Sequence, residues 1–206
     1  MTEKEVQEIL RDKLLFSQDA IHKLDFFCKE VVEYNKKFNL ISKSTVSNIW
    51  NRHVLDSAQL VKFIDFKDGF SLSDLGSGGG FPGIILAIFN RNSKFHVKLY
   101  DKSNVKAKFL INVCKKLNIK AEVFSNDYRS HIIDSNFIVS RAFKKLEEHL
   151  RISREIIEVN HKLIILKGKS AEEEIKQLNK KFNYSYNLEK SITNSESKII
   201  IIDFKK

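Results

Sequence analysis

The sequence predicts an α/β fold, a mostly parallel Rossmann-like sheet set behind an N-terminal helical cap. Three observations carry that expectation. From residue 70 onward, short apolar runs alternate with amphipathic ones. Over residues 1–66 apolar residues recur at three-to-four spacing with neither Gly nor Pro, and one glycine-rich turn stands between an apolar run and a proline.

Within residues 1–66, Ile21, Leu24, Phe27, Val31, Tyr34 and Phe38 form one helical stripe. Ile49, Trp50, Val54, Leu55, Ala58, Val61 and Phe63 form another, which Asp68-Gly69 interrupts. The cap is therefore expected over 1–68 and the sheet domain over 69–206. Strands are expected near 71–75, 95–100, 121–125, 136–140 and 161–166. A closing antiparallel hairpin follows, built from 184–188 and 197–204 around the polar Thr193-Asn194-Ser195. Crossover helices are expected at 82–90, where Pro82 suits a first helical position, and at 106–117, 144–159 and 171–180.

The 206 residues are 42% hydrophobic and 30% charged, with one Pro and seven Gly, which excludes a disordered or collagen-like chain. The longest apolar run, 84–89, is far short of the ~18 to 20 residues that span a bilayer. Met1-Thr2-Glu3-Lys4-Glu5 carries acids where an export signal carries a positive stretch, so a cytoplasmic protein without membrane contact is expected. Cys28 and Cys114 form no Cys-x-x-Cys pair and have no His at ligand spacing, so both are expected reduced, with no structural metal. A net charge of +10 favours polyanionic partners. Lys outnumbers Arg 29 to 7, so compositional drift also accounts for the surplus; in such a chain an Arg is the more informative cation, which singles out Arg52, Arg129 and Arg141.

The chemistry concentrates in Asp74-Leu75-Gly76-Ser77-Gly78-Gly79-Gly80-Phe81-Pro82-Gly83, at a strand end and a helix start. Glycines there let backbone pass against a ligand. Gly78-x-Gly80-x-x-Gly83 matches a dinucleotide fingerprint, with Asp101 as ribose acceptor. Asp74-x-Gly76-x-Gly78-x-Gly80 fits S-adenosylmethionine, with Asp101 again on the ribose. Charge favours the second reading: Asp74 suits the methionine ammonium and repels a pyrophosphate. No large substrate domain follows the sheet, and the terminal hairpin suits the seven-stranded methyltransferase sheet. A glycine turn with no ligand is the bland alternative, disfavoured by the backbone entropy such a turn loses on ordering.

A set of ordered segments resembles one family, the bacterial small-subunit ribosomal RNA N7-guanine methyltransferases, also called glucose-inhibited division protein B. The segments are Tyr34-Asn35-Lys36-Lys37-Phe38-Asn39-Leu40, Arg52-His53-Val54-Leu55-Asp56-Ser57, and the glycine loop through Ile84. They continue with Leu99-Tyr100-Asp101-Lys102, Lys108-Phe109-Leu110, Ser140-Arg141-Ala142-Phe143 and Leu166-Lys167-Gly168. The resemblance implies a class I S-adenosylmethionine-dependent methyltransferase acting on N7 of a guanine, position 527, in 16S ribosomal RNA. Its partner would be that RNA or the small ribosomal subunit, and a monomer is expected.

Carried over residue by residue, Gly76, Gly78, Gly80 and Phe81 would meet the cofactor through the loop, with Asp74 beside its amino group and Asp101 on its ribose. Arg141 matches the family's arginine beside the methyl donor. Where the family has a small residue and an acid after the third strand, this chain has Asn126-Asp127-Tyr128-Arg129, so Asp127, or the backbone of Tyr128 and Arg129, would read the adenine. Arg141 and Lys167 are expected to place the guanine as the catalytic pair. Arg52, His53 and Asp56 fall within one helical turn, either facing the cleft together or joining the cap to the sheet. Lys36, Lys37, Lys43, Lys102, Lys106 and Lys108 are expected to track phosphates. Competing readings are a methyltransferase on another RNA base or a small molecule, and a noncatalytic RNA-binding module with the same fold. The Asp/Asn-Pro-Pro-Tyr/Phe motif for adenine N6 is absent, because Pro82 is the only proline.

Overall fold

The computed structural model describes residues 1–141, 144–179 and 185–205. Seven strands form one sheet in the order β3-β2-β1-β4-β5-β7-β6. They are β1 (Ser71–Leu75), β2 (His96–Tyr100), β3 (Glu122–Phe124), β4 (Phe137–Arg141), β5 (His161–Lys167), β6 (Asn187–Lys190) and β7 (Lys198–Phe204). The first five pair in parallel, and β7 runs antiparallel between β5 and β6. Strands β4, β5 and β7 are apolar on both faces because both are covered: Val139, Ile199 and Ile201 point into one core cluster, whereas Ile138, Ile200 and Ile202 point into the other.

The N-terminal helices cover the first face. Thr2 and Glu5 cap α1 (Glu3–Asp12) reciprocally, and Ser17 caps α2 (Gln18–Asn35) by accepting from Ala20 N–H at 3.1 Å. The expected stripe ends at Tyr34 rather than Phe38. The side chain of Asn35 accepts from the N–H groups of Leu40 and Ile41, at 2.7 and 3.0 Å, turning the chain sharply and leaving Phe38 39% exposed. The second stripe is not one regular helix. A 3₁₀ turn (Lys43–Asn48), a π turn (Trp50–Leu55), the short α3 (Asp56–Ala58) and a 3₁₀ turn (Gln59–Phe63) follow one another. The expected boundary at 68/69 is a turn, with Gly69 at φ +76°, yet Phe27, Val54 and Leu60 share one core cluster with Leu72, Ile84 and Val139. Cap and sheet thus bury their apolar faces together.

On the sheet's crossovers lie α4 (Gly83–Phe89), α5 (Asn104–Leu117), α6 (Leu146–Glu155) and α7 (Ala171–Asn179). The helix expected over 144–159 is shorter at both ends, starting after Lys145 and stopping before Ile156. The hairpin's first strand lies later than expected, at 187–190; Lys180 and Tyr184 of the expected elements lie outside the described residues, as do Ala142 and Phe143. Among the described residues no helix is long and apolar enough to cross a membrane. The chain order β1-α4-β2 runs to one side of β1 and β4-α6-β5 to the other, so the carboxyl ends of β1 and β4 flank a topological switch point, where ligands of such sheets bind.

Candidate active site

The glycine loop leaves β1 at this switch point, and five of its backbone N–H groups are already engaged. Gly76 and Ser77 N–H donate to the carbonyl of Tyr100 at 2.9 and 3.0 Å, and Gly80 N–H donates to the carbonyl of Ser77 at 2.8 Å. Gly78 N–H donates to Asp101 Oδ2 at 2.8 Å, and Gly83 N–H to Asp74 Oδ2 at 2.9 Å. A pyrophosphate needs free N–H groups converging on it; this loop has most of them engaged and sets the Asp101 carboxylate on the cavity wall. That arrangement suits a cationic nucleoside and argues against a dinucleotide.

Asp74 lies beneath the loop, wholly buried, and does not border the adjoining cavity. Burial pushes its carboxyl up to about 7, against the pull of the Gly83 N–H, and its Oδ1 has no hydrogen-bond partner among the described residues. Asp74 therefore braces the loop from beneath through Gly83 N–H rather than from the cavity wall. The Asp74–Gly83 bond also explains the last glycine. A Cβ there would overlap Leu99 and stand 2.6 Å from Asp74 Oδ2. Gly83→Ala is expected to destabilise the fold by about 1–3 kcal/mol through this overpacking, read as a lowered thermal midpoint; an unchanged midpoint would remove the constraint.

The cavity above the loop has a volume of about 390 Å³, with Gly76, Gly78, Tyr100, Asp101, Asp127 and Tyr128 on its walls. Asp101 stands at the tip of β2, 8% exposed. Its Oδ1 accepts from Ser103 N–H at 2.8 Å and its Oδ2 from Gly78. A carboxylate has about four lone-pair directions, so each oxygen keeps capacity for a sugar hydroxyl. Asp127 is committed to Arg129: Oδ1 accepts from its N–H and Nε at 3.0 Å, and Oδ2 from Nη2 at 2.6 Å. These bonds hold the Asp127 carboxyl down at about 2. The guanidinium in turn lies 5.8 Å from the ring centre of Tyr128, so 127–129 forms a self-braced wall.

Gly80 and Phe81 face away from this cavity. At φ +94°, Gly80 has Ile84 and Phe27 where a Cβ would go, and buried Phe81 packs on Phe27 and His53 with ring centres 5.1 and 5.0 Å apart. Their part is to hold the loop against the cap and to support Arg141, whose guanidinium carbon stands 5.3 Å over the Phe81 ring.

A second cavity, of about 600 Å³, adjoins the first, and Lys144 borders both. Its walls include Arg52, His53, Asp56, Arg141, Lys145 and Lys167. Arg141, at the end of β4, is held by the cap. Its Nη1 donates to the Arg52 carbonyl at 3.0 Å and lies 3.7 Å from Asp56 Oδ2, and its Nη2 donates to His53 Nδ1 at 2.6 Å. Burial lowers the guanidinium and raises the Asp56 carboxyl, each effect opposed by the attraction between them. Asp56 Oδ1 also accepts from Thr193 Oγ1 at 2.9 Å, so the hairpin connection anchors the cluster from the opposite end of the chain. The residues of the Arg52–Asp56 turn thus do both things their spacing allowed: they line the cleft and tie the cap to the sheet.

Lys167 lines the same cavity, but its ammonium is committed to Glu174 Oε2 at 2.8 Å and the Lys144 carbonyl at 2.7 Å, with the side chain 10% exposed. Lys167 thus fixes the backbone at Lys144 from the cavity wall. Lys102 and Lys106 border the smaller cavity, and Lys36 is paired with Glu33. His149, buried and held at about 4 by that burial, bonds Ser140 Oγ and the Lys145 carbonyl, a structural role. Sequence reasoning missed Thr45, Lys144 and Lys145 as cavity residues and Thr193 as a partner of Asp56; none sits in a pattern of its own.

Residues 20–201 match the family model described as rRNA small subunit methyltransferase G. The chain belongs to this family. Ribosomal RNA small subunit methyltransferase G of Pelagibacter ubique is 35% identical over 194 residues, spanning 92% of this chain and 90% of that protein. The protein of the same name from Rickettsia bellii is 37% identical over 184 residues, spanning 89% and 93%. Among solved structures, the fold is shared with a SAM-dependent methyltransferase of Aquifex aeolicus (TM-score 0.57, 15% identity, 84% of this chain and 97% of that one). It is also shared with a SAM-dependent O-methyltransferase of Thermotoga maritima (TM-score 0.59, 13% identity, 87% and 71%). Membership of the methyltransferase G family makes this chain a SAM-dependent ribosomal RNA methyltransferase, with the class I fold expected from its sequence.

Proposed function

We propose that this protein transfers a methyl group from S-adenosylmethionine to N7 of a guanine in 16S ribosomal RNA, the guanine at position 527, acting as a cytoplasmic monomer on that RNA or on the small subunit. The observation that carries the reading is the pair of neighbouring cavities that share Lys144 as a wall, one with Asp101 and the glycine loop on its walls, the other cationic and braced around Arg141.

In this reading Asp101 takes the ribose hydroxyls, Gly76 and Gly78 pass against the nucleoside, and the 127–129 turn walls the adenine. Asp74 and Phe81 act from behind the loop. When bound, S-adenosylmethionine supplies an electrophilic methyl group on a sulfonium. N7 of guanine offers a lone pair and carries no proton, so no side chain has to act as a base. The work left to the protein is alignment, and orientation alone can be worth up to ~7 to 11 kcal/mol of a barrier. Arg141 presents a guanidinium toward the larger cavity, suited to O6 of guanine or to a flanking phosphate. Arg52, Lys144 and Lys145 supply further positive charge on its walls.

Ligand-dependent stability separates this reading from the dinucleotide one. S-adenosylhomocysteine is expected to raise the thermal midpoint, by about 2.7 kcal/mol of stabilisation at a hundredfold excess over its Kd, and NAD to leave it unchanged. A shift with NAD and none with S-adenosylhomocysteine would reverse the assignment.

A further inference from the structure

We propose that His53 is a positioning residue: its neutral Nδ1 holds the end of the Arg141 guanidinium so that the adjoining edge, Nε–H and the second Nη2 hydrogen, meets the substrate. The inference rests on the functional reading above and deepens it, because it assigns a task to a side chain that the transfer chemistry itself does not need.

The hydrogen bonds fix the histidine's state. Arginine has donors only, so the 2.6 Å contact from Arg141 Nη2 requires a lone pair on His53 Nδ1. The proton of the neutral ring then sits on Nε2, which donates to Thr45 Oγ1 at 2.8 Å; the Thr45 hydroxyl donates onward to the Ser42 carbonyl at 2.8 Å. Every link has one direction. A proton added at Nδ1 would face the guanidinium, and burial together with Arg141 and Arg52 holds the ring neutral down to about 3. The groups around it are Arg141, Arg52, Thr45 and the face of Phe81.

The consequence falls on Arg141. Its Nη1 and Nη2 end is occupied by the Arg52 carbonyl, Asp56 and His53, all from the cap. Among the described residues its Nε–H has no acceptor. The edge formed by Nε–H and the second Nη2 hydrogen is the one that grips two acceptors at once. His53 therefore selects which edge of the fork is offered, and Thr45 selects the tautomer that lets it do so.

The test is a set of variants in the full-length protein, assayed for methyl transfer to small-subunit RNA, with S-adenosylhomocysteine titrated in parallel. Asn places a carbonyl near the Nδ1 position, whereas Gln extends it toward Nε2. We expect His53→Asn to keep kcat within about threefold of the parent, and His53→Gln and His53→Leu to lose about a hundredfold, the scale of a misplacement near 1 Å, with cofactor affinity unchanged. Thr45→Val should lower kcat and Thr45→Ser restore it. Equal kcat for the Asn, Gln and Leu variants, or losses that track cofactor affinity or the thermal midpoint, would overturn the proposal. Imidazole ¹⁵N shifts give a reading independent of turnover: a pyridine-type Nδ1 supports the brace, and a protonated Nδ1 overturns it even in an active enzyme. Failure of the unaltered protein to methylate the RNA would instead defeat the functional reading beneath it.

Discussion

Arg141→Ala is expected to slow methyl transfer by about 10² to 10³-fold, the cost of deleting one preorganised donor beside a reacting centre, while S-adenosylhomocysteine binding changes little. The split follows from geometry. The guanidinium faces the larger cavity, whereas Asp101 and the glycine loop stand on the smaller one. The truncation also strips a donor from His53 Nδ1 and from the Arg52 carbonyl, so some loss of stability accompanies it. Arg141→Lys should recover little, since an ammonium cannot occupy His53 and the Arg52 carbonyl while presenting a second edge. Single-turnover rates alongside a calorimetric titration decide the matter; an alanine variant with unaltered rate would take Arg141 out of the site.

Asp101→Ala should have the opposite profile. A charge-assisted bond to a hydroxyl is worth ~1.5 to 3 kcal/mol, which corresponds to about 10 to 150-fold weaker cofactor binding. Two backbone donors, Gly78 and Ser103, lose their acceptor at the same time, and the loop loosens where it meets the nucleoside. Asp101→Asn keeps an oxygen and should fall between. An S-adenosylhomocysteine titration with the parent's Kd would show that the carboxylate braces the loop and does nothing more.

Much of this architecture was legible because the signals are local. Strands β4 and β5 contain continuous apolar runs, as burial on both faces requires, and β1, β2, β4 and β5 lie within a residue or so of the expected positions. The glycine loop was legible because the turn itself needs positive φ at Gly76, Gly78 and Gly80, although Gly83 answers Leu99 on the neighbouring strand. Departures came where a distant partner overrides the local pattern. Phe38 continues the helical spacing, but Asn35 reaches forward to Leu40 and Ile41 and ends the helix first. Lys167 reads as a free cation at a strand end, and only the fold brings Glu174 of α7 to neutralise it. Thr193 meets Asp56 across most of the chain, a contact that no spacing announces. The same holds for Arg141, whose residue type drew attention in a lysine-rich sequence but whose brace is supplied by another element.

In the proposed function the two neighbouring cavities, which share Lys144, bring a sulfonium methyl to a guanine nitrogen. The direct measurement incubates the purified protein with small ribosomal subunits, or their RNA, lacking the modification, in the presence of isotopically labelled S-adenosylmethionine, and maps the label by mass spectrometry of nuclease fragments. One labelled methyl group is expected on N7 of a single guanine of 16S RNA, at position 527, appearing about 10² to 10³-fold more slowly when Arg141 is alanine. Label on another base or another nitrogen, or none in the RNA while the cofactor is bound, would contradict it.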